Sequence, residues 1–342
     1  MVSANPKLHI LPVAGVRWGV AYAGIKSSTK YPSNDLALME LASGSQCAAV
    51  FTQNAFCAAP ITVAKNKLAS LAEQKDSSAI YLLINSGNAN AGTGDEGYRA
   101  AELSCQLVAE SINCDTQQVL PFSTGVIGQS LPVEKIQAVS DALNASLSTD
   151  SWSLAAEAIM TTDTVAKGFS RTMDIDGKSV TVSGICKGAG MIRPNMATML
   201  AYVATDAELD SKDLQELLDH VIQCSFNRIT VDGDTSTNDA CVLAATGQAG
   251  IKLDNKHDAW HEFKLMLRLL FVDLATAIIR DAEGASKFIT IDVKGGRSSE
   301  ECLRVAYAVA ESPLVKTAFF ASDANWGRIL AAVGRAGVGN LD

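Results

Sequence analysis

Residues 187–200 read KGAGMIRPNMATML, placing two cations, two glycines and a proline ahead of a threonine. Thr198 then opens the apolar run 199–203, which has the character of a buried strand. A hydroxyl at the mouth of a buried strand, reached through a Gly/Pro-rich loop, is well placed to act as a nucleophile if a base lies beside it. The same pattern also describes an ordinary turn leading into a strand. Pattern alone leaves both readings open.

Other candidate chemistries fail on spacing. Gly177-Lys178-Ser179 resembles the end of a phosphate-binding loop, but position 172, where that loop needs glycine, is Thr. Asp232, Asp234, Ser236 and Asn238 have the spacing of the first ligands of a calcium loop. Its sixth position would be Thr237 rather than glycine, and its twelfth Leu243 rather than glutamate. There is no G-x-S-x-G elbow, and no G-x-G-x-x-G follows a strand. None of the eight cysteines forms a C-x-x-C pair, and the four histidines do not cluster with them, so no metal site is expected. His257 and His261 stand four apart on an expected helix, but no H-E-x-x-H accompanies them. The cysteines read as small, reduced core residues.

These residues must be held by a scaffold, and its elements show in the hydrophobic periodicity. Ala101, Cys105, Val108 and Ile112 share one helical face. Ile136, Val139 and Leu143 share another, after Pro132 near a helix start. Leu214, Leu217, Leu218, Val221 and Ile222 form a third stripe. Trp260, Phe263, Leu267, Leu270, Leu274 and Ile278 form the longest. Strands are predicted at 80–84, 228–231 and 288–293. Residues 171–183 are predicted to form a hairpin turning at Asp176-Gly177. The Gly/Asn/Ser-rich stretch 85–94 reads as a loop of the kind that carries function. Interspersed helices and strands predict α/β or α+β layering.

Composition bounds the function. The chain has 342 residues, 48% hydrophobic and 19% charged, which excludes a disordered chain. Its length suits two domains or one large α/β domain. A net charge of −9 disfavours a general nucleic-acid binder, though it leaves room for anionic small molecules in a locally basic pocket. No apolar run approaches the ~18 residues of a membrane span and no signal-like segment opens the chain, so the cytoplasm is the expected location.

KGAGMIRPNMATML resembles the processing-site signature of the ornithine acetyltransferase family, also called bifunctional glutamate N-acetyltransferase or ArgJ. Further segments resemble that family in the same order. They are GIK (24–26), DLAL (35–38), AVFTQNAFCAAP (49–60), INSGNANAGTG (84–94), STGVIG (123–128) and IMTTDT (159–164). TVDGDTSTND (230–239), RDAEGASKFI (280–289) and SPLVKTAFFASDANWGRILAA (312–332) complete the series, so the resemblance spans nearly the whole chain.

The resemblance implies a layered α/β sandwich of the DmpA/ArgJ-like type, a single catalytic unit over 1–342 with chemistry like that of N-terminal-nucleophile hydrolases. It implies self-cleavage between Ala197 and Thr198, giving an α chain of 1–197 and a β chain of 198–342. The freed Thr198 would carry an α-amine of pKa about 7.7–8.0, close enough to neutrality to activate its own hydroxyl. Thr198 would take the acetyl group of N2-acetyl-L-ornithine and pass it to L-glutamate by a ping-pong route. Thr124 and Gly125 match the oxyanion-stabilising pair, while Thr164, Lys187, Thr198 and Glu283 match substrate-binding positions. Lys187 would meet the α-carboxylate common to both substrates and Glu283 an ammonium.

No cofactor is implied. Acetyl-CoA is a further donor in some members, and an α2β2 heterotetramer of the cleaved chains is the implied assembly. The sequence departs from the pattern mildly at Ala166 and Ala282, where the family often has proline and glycine. Members also extend several dozen residues further, and their tail supplies an Asn and a Ser or Thr to the pocket. The resemblance therefore implies that the C-terminal part of the β chain is missing here. The alternatives are a related self-cleaving N-terminal-Thr amidase or aminopeptidase, in which water replaces glutamate as acceptor, and an inactive truncated fragment.

Overall fold

The computed structural model describes residues 8–26, 33–74, 78–193 and 199–339. Two sheets lie face to face. The first joins β1 (Val16–Ala21), β2 (Leu36–Leu41), β4 (Ile80–Asn88) and β5 (Val119–Val126) in that order. The second has the order β3 (Gln46–Phe51), β9 (Ala240–Ala245), β8 (Leu200–Thr205), β7 (Lys178–Lys187) and β6 (Lys167–Ile175). Each sheet contains one parallel pair, β4/β5 and β8/β9. A parallel pair needs a long crossover. Helix α2 (Gly94–Ile112) provides the first and α5 (Ser211–Cys224) the second.

Helices cover the outer faces. Helices α2 and α3 (Val133–Ala145) pack on the first sheet through Cys105, Val108, Ile136 and Leu143, against Leu36, Leu38 and Leu83. Helix α5 and the long α6 (Trp260–Arg280) pack on the second through the leucines of their apolar stripes, against Val182, Val203 and Leu243. The result is a helix–sheet–sheet–helix sandwich. Helices α1 (Ala59–Gln74) and α4 (Trp152–Ala158) flank the space between the sheets. There Trp18, Phe122, Trp152 and Tyr202 interlock edge-on, with ring centroids 5.4–5.9 Å apart. Such pairs add about 0.5–1.5 kcal/mol each beyond burial, which fixes how the sheets meet. Helices α7 (Ser299–Ala310), α8 (Pro313–Phe320) and α9 (Trp326–Gly334) form a small separate cluster around Val309, Val315 and Ala332.

The four periodic stripes fall on α2, α3, α5 and α6 as expected. The Asp210 side chain starts α5 by accepting the Asp213 N–H at 2.8 Å, and left-handed Asn113 ends α2. The hairpin is β6–β7, and Asp176 (φ 54°) with Gly177 (φ 77°) turn it in the doubly left-handed geometry that only such residues tolerate well. All eight cysteines are free, and Cys105, Cys186 and Cys241 are buried.

Four expectations are corrected. Residues 85–88 of the expected loop continue β4 beside β5, and Gly94 already begins α2, so only 89–93 is loop. Residues 228–231 are not a strand. Arg228 closes a single 3-10 turn, and the backbone after it is held by isolated bonds, among them Val231 N–H to the Ile192 carbonyl at 2.7 Å and the Tyr307 hydroxyl to the Ile229 carbonyl at 3.4 Å, rather than by a ladder. Residues 288–293 form no strand either. Phe288 and Ile289 are exposed, and the segment joins neither sheet. Alternation supplies a pleat, but a strand exists only where another strand accepts it. His257 lies in the turn before α6, so only His261 of that pair is helical. No described helix is long and apolar enough to cross a membrane.

Candidate active site

The ends of β4, β5 and β7 and the starts of β8 and β9 surround a cavity of about 530 Å³. Its floor is set by glycines. Gly125, at the end of β5, has φ 139°, and a Cβ there would lie 2.2 Å from the Gly87 carbonyl carbon. No other residue permits that approach of β5 to β4. The β4/β5 register slips at Asn88, so the backbone of Thr124–Gly125–Val126 opens toward the cavity. An oxyanion site needs a backbone N–H and a hydroxyl side by side at such a place, and Thr124 and Gly125 both line the cavity.

Lys187, the last residue of β7, donates to the Thr124 hydroxyl at 3.2 Å. Asp163, Asp239 and Glu283 surround it electrostatically, yet burial outweighs their pull and holds its ammonium below the ordinary lysine range. The loop after it is anchored from two sides. The Gly188 N–H donates to Asp163 Oδ1 at 2.7 Å. Asp232 accepts the N–H groups of Met191 (2.6 Å) and Ile192 (2.9 Å). Asp232 thus braces a loop, the role that its calcium-like spacing concealed. Among the described residues, no group of three or more His, Cys, Asp or Glu side chains is arranged to hold a metal ion.

Beneath the loop lies a dry ion network. Lys167 Nζ is 2.6 Å from both Asp163 Oδ1 and Asp281 Oδ2, and the three side chains are 1%, 0% and 4% exposed. Burial alone would raise Asp163, but Lys187, Lys167 and the Gly188 N–H hold its carboxyl below the usual range. Burial would lower Lys167, and the two carboxylates hold it above. Asp281 also receives the Thr164 N–H at 3.0 Å and the Thr164 hydroxyl. Thr164, though exposed, is committed to Asp281 and does not line the cavity, whereas its neighbours Thr161 and Thr162 do. Two residues beyond Asp281, the Glu283 N–H donates to the Ala189 carbonyl at 2.8 Å. Its exposed carboxylate lies directly over Gly190, where a Cβ would sit 2.7 Å from the carboxyl carbon.

The second sheet contributes Asn238 and Asp239, just ahead of β9. Buried Asn238 donates to the Ala89 (2.6 Å) and Ser123 (3.0 Å) carbonyls, tying β9 to the first sheet. Asp239 is 3% exposed, and its Oδ2 has no hydrogen-bond partner among the described residues. Burial pushes its carboxyl well above the normal range. Lys26 completes the rim. The fully buried Asp35 accepts three N–H groups of its turn, from Ala23 (2.7 Å), Ile25 (2.6 Å) and Lys26 (3.0 Å). Gly87 presses on that turn so closely that a Cβ would lie 2.9 Å from Lys26 Cα.

Of the residues singled out in the sequence, Thr124, Gly125, Lys187 and Glu283 converge on this cavity. Ala197 and Thr198 lie outside the described residues. The chain on either side of them borders the cavity, through Ile192 before and Met199 after. Sequence reasoning missed Lys26, Asp163, Lys167, Asp239 and Asp281 as individuals. Four of them stand inside segments that carried the resemblance, GIK, IMTTDT, TVDGDTSTND and RDAEGASKFI, which was the available signal.

The model of the ArgJ family matches residues 17–342. The arginine biosynthesis bifunctional protein ArgJ of Pseudomonas fluorescens is 53% identical over 339 residues, covering 98% of this chain and 81% of the relative. Its namesake from Methylococcus capsulatus is 53% identical over 336 residues, covering 98% and 80%. A crystal structure of ornithine acetyltransferase complexed with ornithine, from Mycobacterium tuberculosis, is 31% identical, covering 54% of this chain and 94% of that one at a TM-score of 0.45. A family match across almost the entire chain, with relatives at this identity and coverage, establishes that the chain belongs to the ArgJ family.

Proposed function

We propose that this chain is an acetyltransferase of arginine biosynthesis that moves the acetyl group of N2-acetyl-L-ornithine to L-glutamate through an acetyl-Thr198 intermediate. The observation that carries the reading is the convergence of Thr124, Gly125, Lys187 and Glu283 on one cavity in a member of this family.

The chain cleaves itself before Thr198 into an α chain of 1–197 and a β chain of 198–342. Thr198 Oγ adds to the Ala197 carbonyl, and the peptide C–N bond breaks to leave an ester that water opens. The freed Thr198 α-amine then takes the proton of its own hydroxyl as Oγ attacks the acetyl carbonyl. The negative oxygen that forms is met by the Thr124 hydroxyl and the Gly125 N–H. Collapse breaks the acetyl–nitrogen bond, and the ornithine nitrogen leaves with the proton held by the α-amine. The neutral amine of glutamate attacks the ester and gives up a proton through the α-amine, and Oγ recovers its hydrogen. Lys187 binds the α-carboxylate of each substrate, and Glu283 binds the side-chain ammonium of ornithine. Acetyl-CoA serves as a second donor at the same nucleophile, the cleaved chains assemble as α2β2, and the enzyme works in the cytoplasm.

Intact-mass measurement and a labelled-acetyl assay test this together. The purified protein should appear as two pieces divided before Thr198 and should move label from acetylornithine to glutamate. Thr198→Ala should abolish both. Release of free acetate irrespective of glutamate would favour the amidase alternative, and turnover by an uncut chain would overturn the proposal.

A further inference from the structure

The proposed reaction sets one cavity a problem of charge. Its donor carries one carboxylate and a side-chain ammonium, whereas its acceptor carries two carboxylates. The described residues lining the cavity include two acids, Glu283 and Asp239, and two cations, Lys187 and Lys26. With Glu283 and Lys187 assigned to the ammonium and the α-carboxylate, the second carboxylate of glutamate needs the remaining cation.

Lys26 is built for that use. Its backbone is fixed by Asp35 and by the approach of Gly87, so the base of the side chain cannot drift. Its ammonium makes two long contacts, to the Ala158 (3.3 Å) and Asn34 (3.4 Å) carbonyls, and forms no ion pair among the described residues. It is half-buried, and although Asp35 and Asp163 attract it and Lys187 repels it, neither carboxylate is within ion-pair distance. Two lysines facing one cavity, only one of them needed for an α-carboxylate, match a dicarboxylate.

Resting on the acetyl-enzyme reading above, we infer that Lys26 is the specificity-determining residue for the acceptor, receiving the side-chain carboxylate of glutamate while Lys187 holds the α-carboxylate. The donor half-reaction has no group that calls on Lys26. The donor half-reaction therefore uses Lys187 alone, and the acceptor half-reaction uses both lysines.

The test compares glutamate with its neutral isostere glutamine as acceptor for the preformed acetyl-enzyme. The unmodified protein should prefer glutamate in kcat/KM, and Lys26→Met should reduce the value for glutamate by about 10- to 100-fold, the range for losing one charged hydrogen bond. The value for glutamine should move by less than about 3-fold on the same scale. Lys26→Arg should recover part of the preference. Parallel losses with both acceptors would assign Lys26 a purely structural role and overturn the inference. So would an unmodified protein that uses glutamine as readily as glutamate, a result that needs no variant to fold. Ornithine release in a single turnover is followed alongside. If the unmodified protein shows no burst, the acetyl-enzyme reading itself has failed; a burst with an unaltered acceptor ratio refutes Lys26 alone.

Discussion

Lys167→Met offers a quantitative test of the scaffold beneath the site. Lys167 Nζ stands 2.6 Å from each of two carboxylates, and none of the three side chains is more than 4% exposed. Methionine fills a similar volume, so packing changes little, but Asp163 and Asp281 lose their shared counter-ion in a dry setting. Breaking a buried pair in this way costs about 3–5 kcal/mol. With a urea m-value near 3 kcal/mol/M, the midpoint should fall by about 1–1.7 M. The measurement is best made by circular dichroism on Thr198→Ala protein, which the proposal expects to remain one chain. Adding Asp163→Asn and Asp281→Asn to the lysine variant should recover part of the loss, because neutral amides leave no unpaired charge. Arg171→Met provides the contrast. Its pair with Asp273 is more than a third exposed on each side, so its removal should cost under about 1 kcal/mol. The sign with pH is also fixed. Asp163 is held low and Lys167 high, so the contribution persists through neutrality, fading as pH falls through the depressed Asp163 value and as it rises through the elevated Lys167 value. A midpoint for Lys167→Met within about 0.3 M of its parent would refute the claim that this network is dry and mutually compensated.

Two further outcomes follow from the cavity. Thr124→Ala should lower the acetyl-transfer rate by about 10²–10³ with little change in the KM for acetylornithine, since the hydroxyl acts on the developing oxyanion; an unchanged kcat would remove Thr124 from that role. Asp239→Asn should stabilise the protein more at pH 6 than at pH 4. Above its ordinary value of about 4 the unfolded chain releases the Asp239 proton while the folded chain, whose carboxyl is held well above the normal range, gives it up later, so the parent loses stability as pH rises and the amide does not. Urea midpoints at the two pH values would check this, and an equal difference at both would show that Asp239 ionises normally when folded.

Local pattern was enough to locate α2, α3, α5 and α6, because an apolar stripe every 3.6 residues has no stable use other than packing a helix on a core. It was likewise enough for the hairpin at Asp176-Gly177, where two consecutive left-handed residues were demanded and supplied. Three of the cavity's polar residues, Thr124, Lys187 and Glu283, and its Gly125 could be named from the segments that carry the family likeness. The strand expected at 288–293 failed for the opposite reason: alternation is local, but the partner that completes a ladder must arrive from elsewhere in the chain. The same holds for the site's charges. Lys167 meets Asp281, and Lys26 faces the same cavity as Lys187, across more than a hundred residues of chain. A charge's neighbours, its burial and hence its proton affinity belong to the folded arrangement rather than to the residue. Sequence therefore determined the amphipathic helices, the hairpin and which segments carry the chemistry. Only the packing of two sheets decided that Lys167 is sealed between two acids, that Asp239 is buried beside Lys187, and that Lys26 stands at the rim of the cavity.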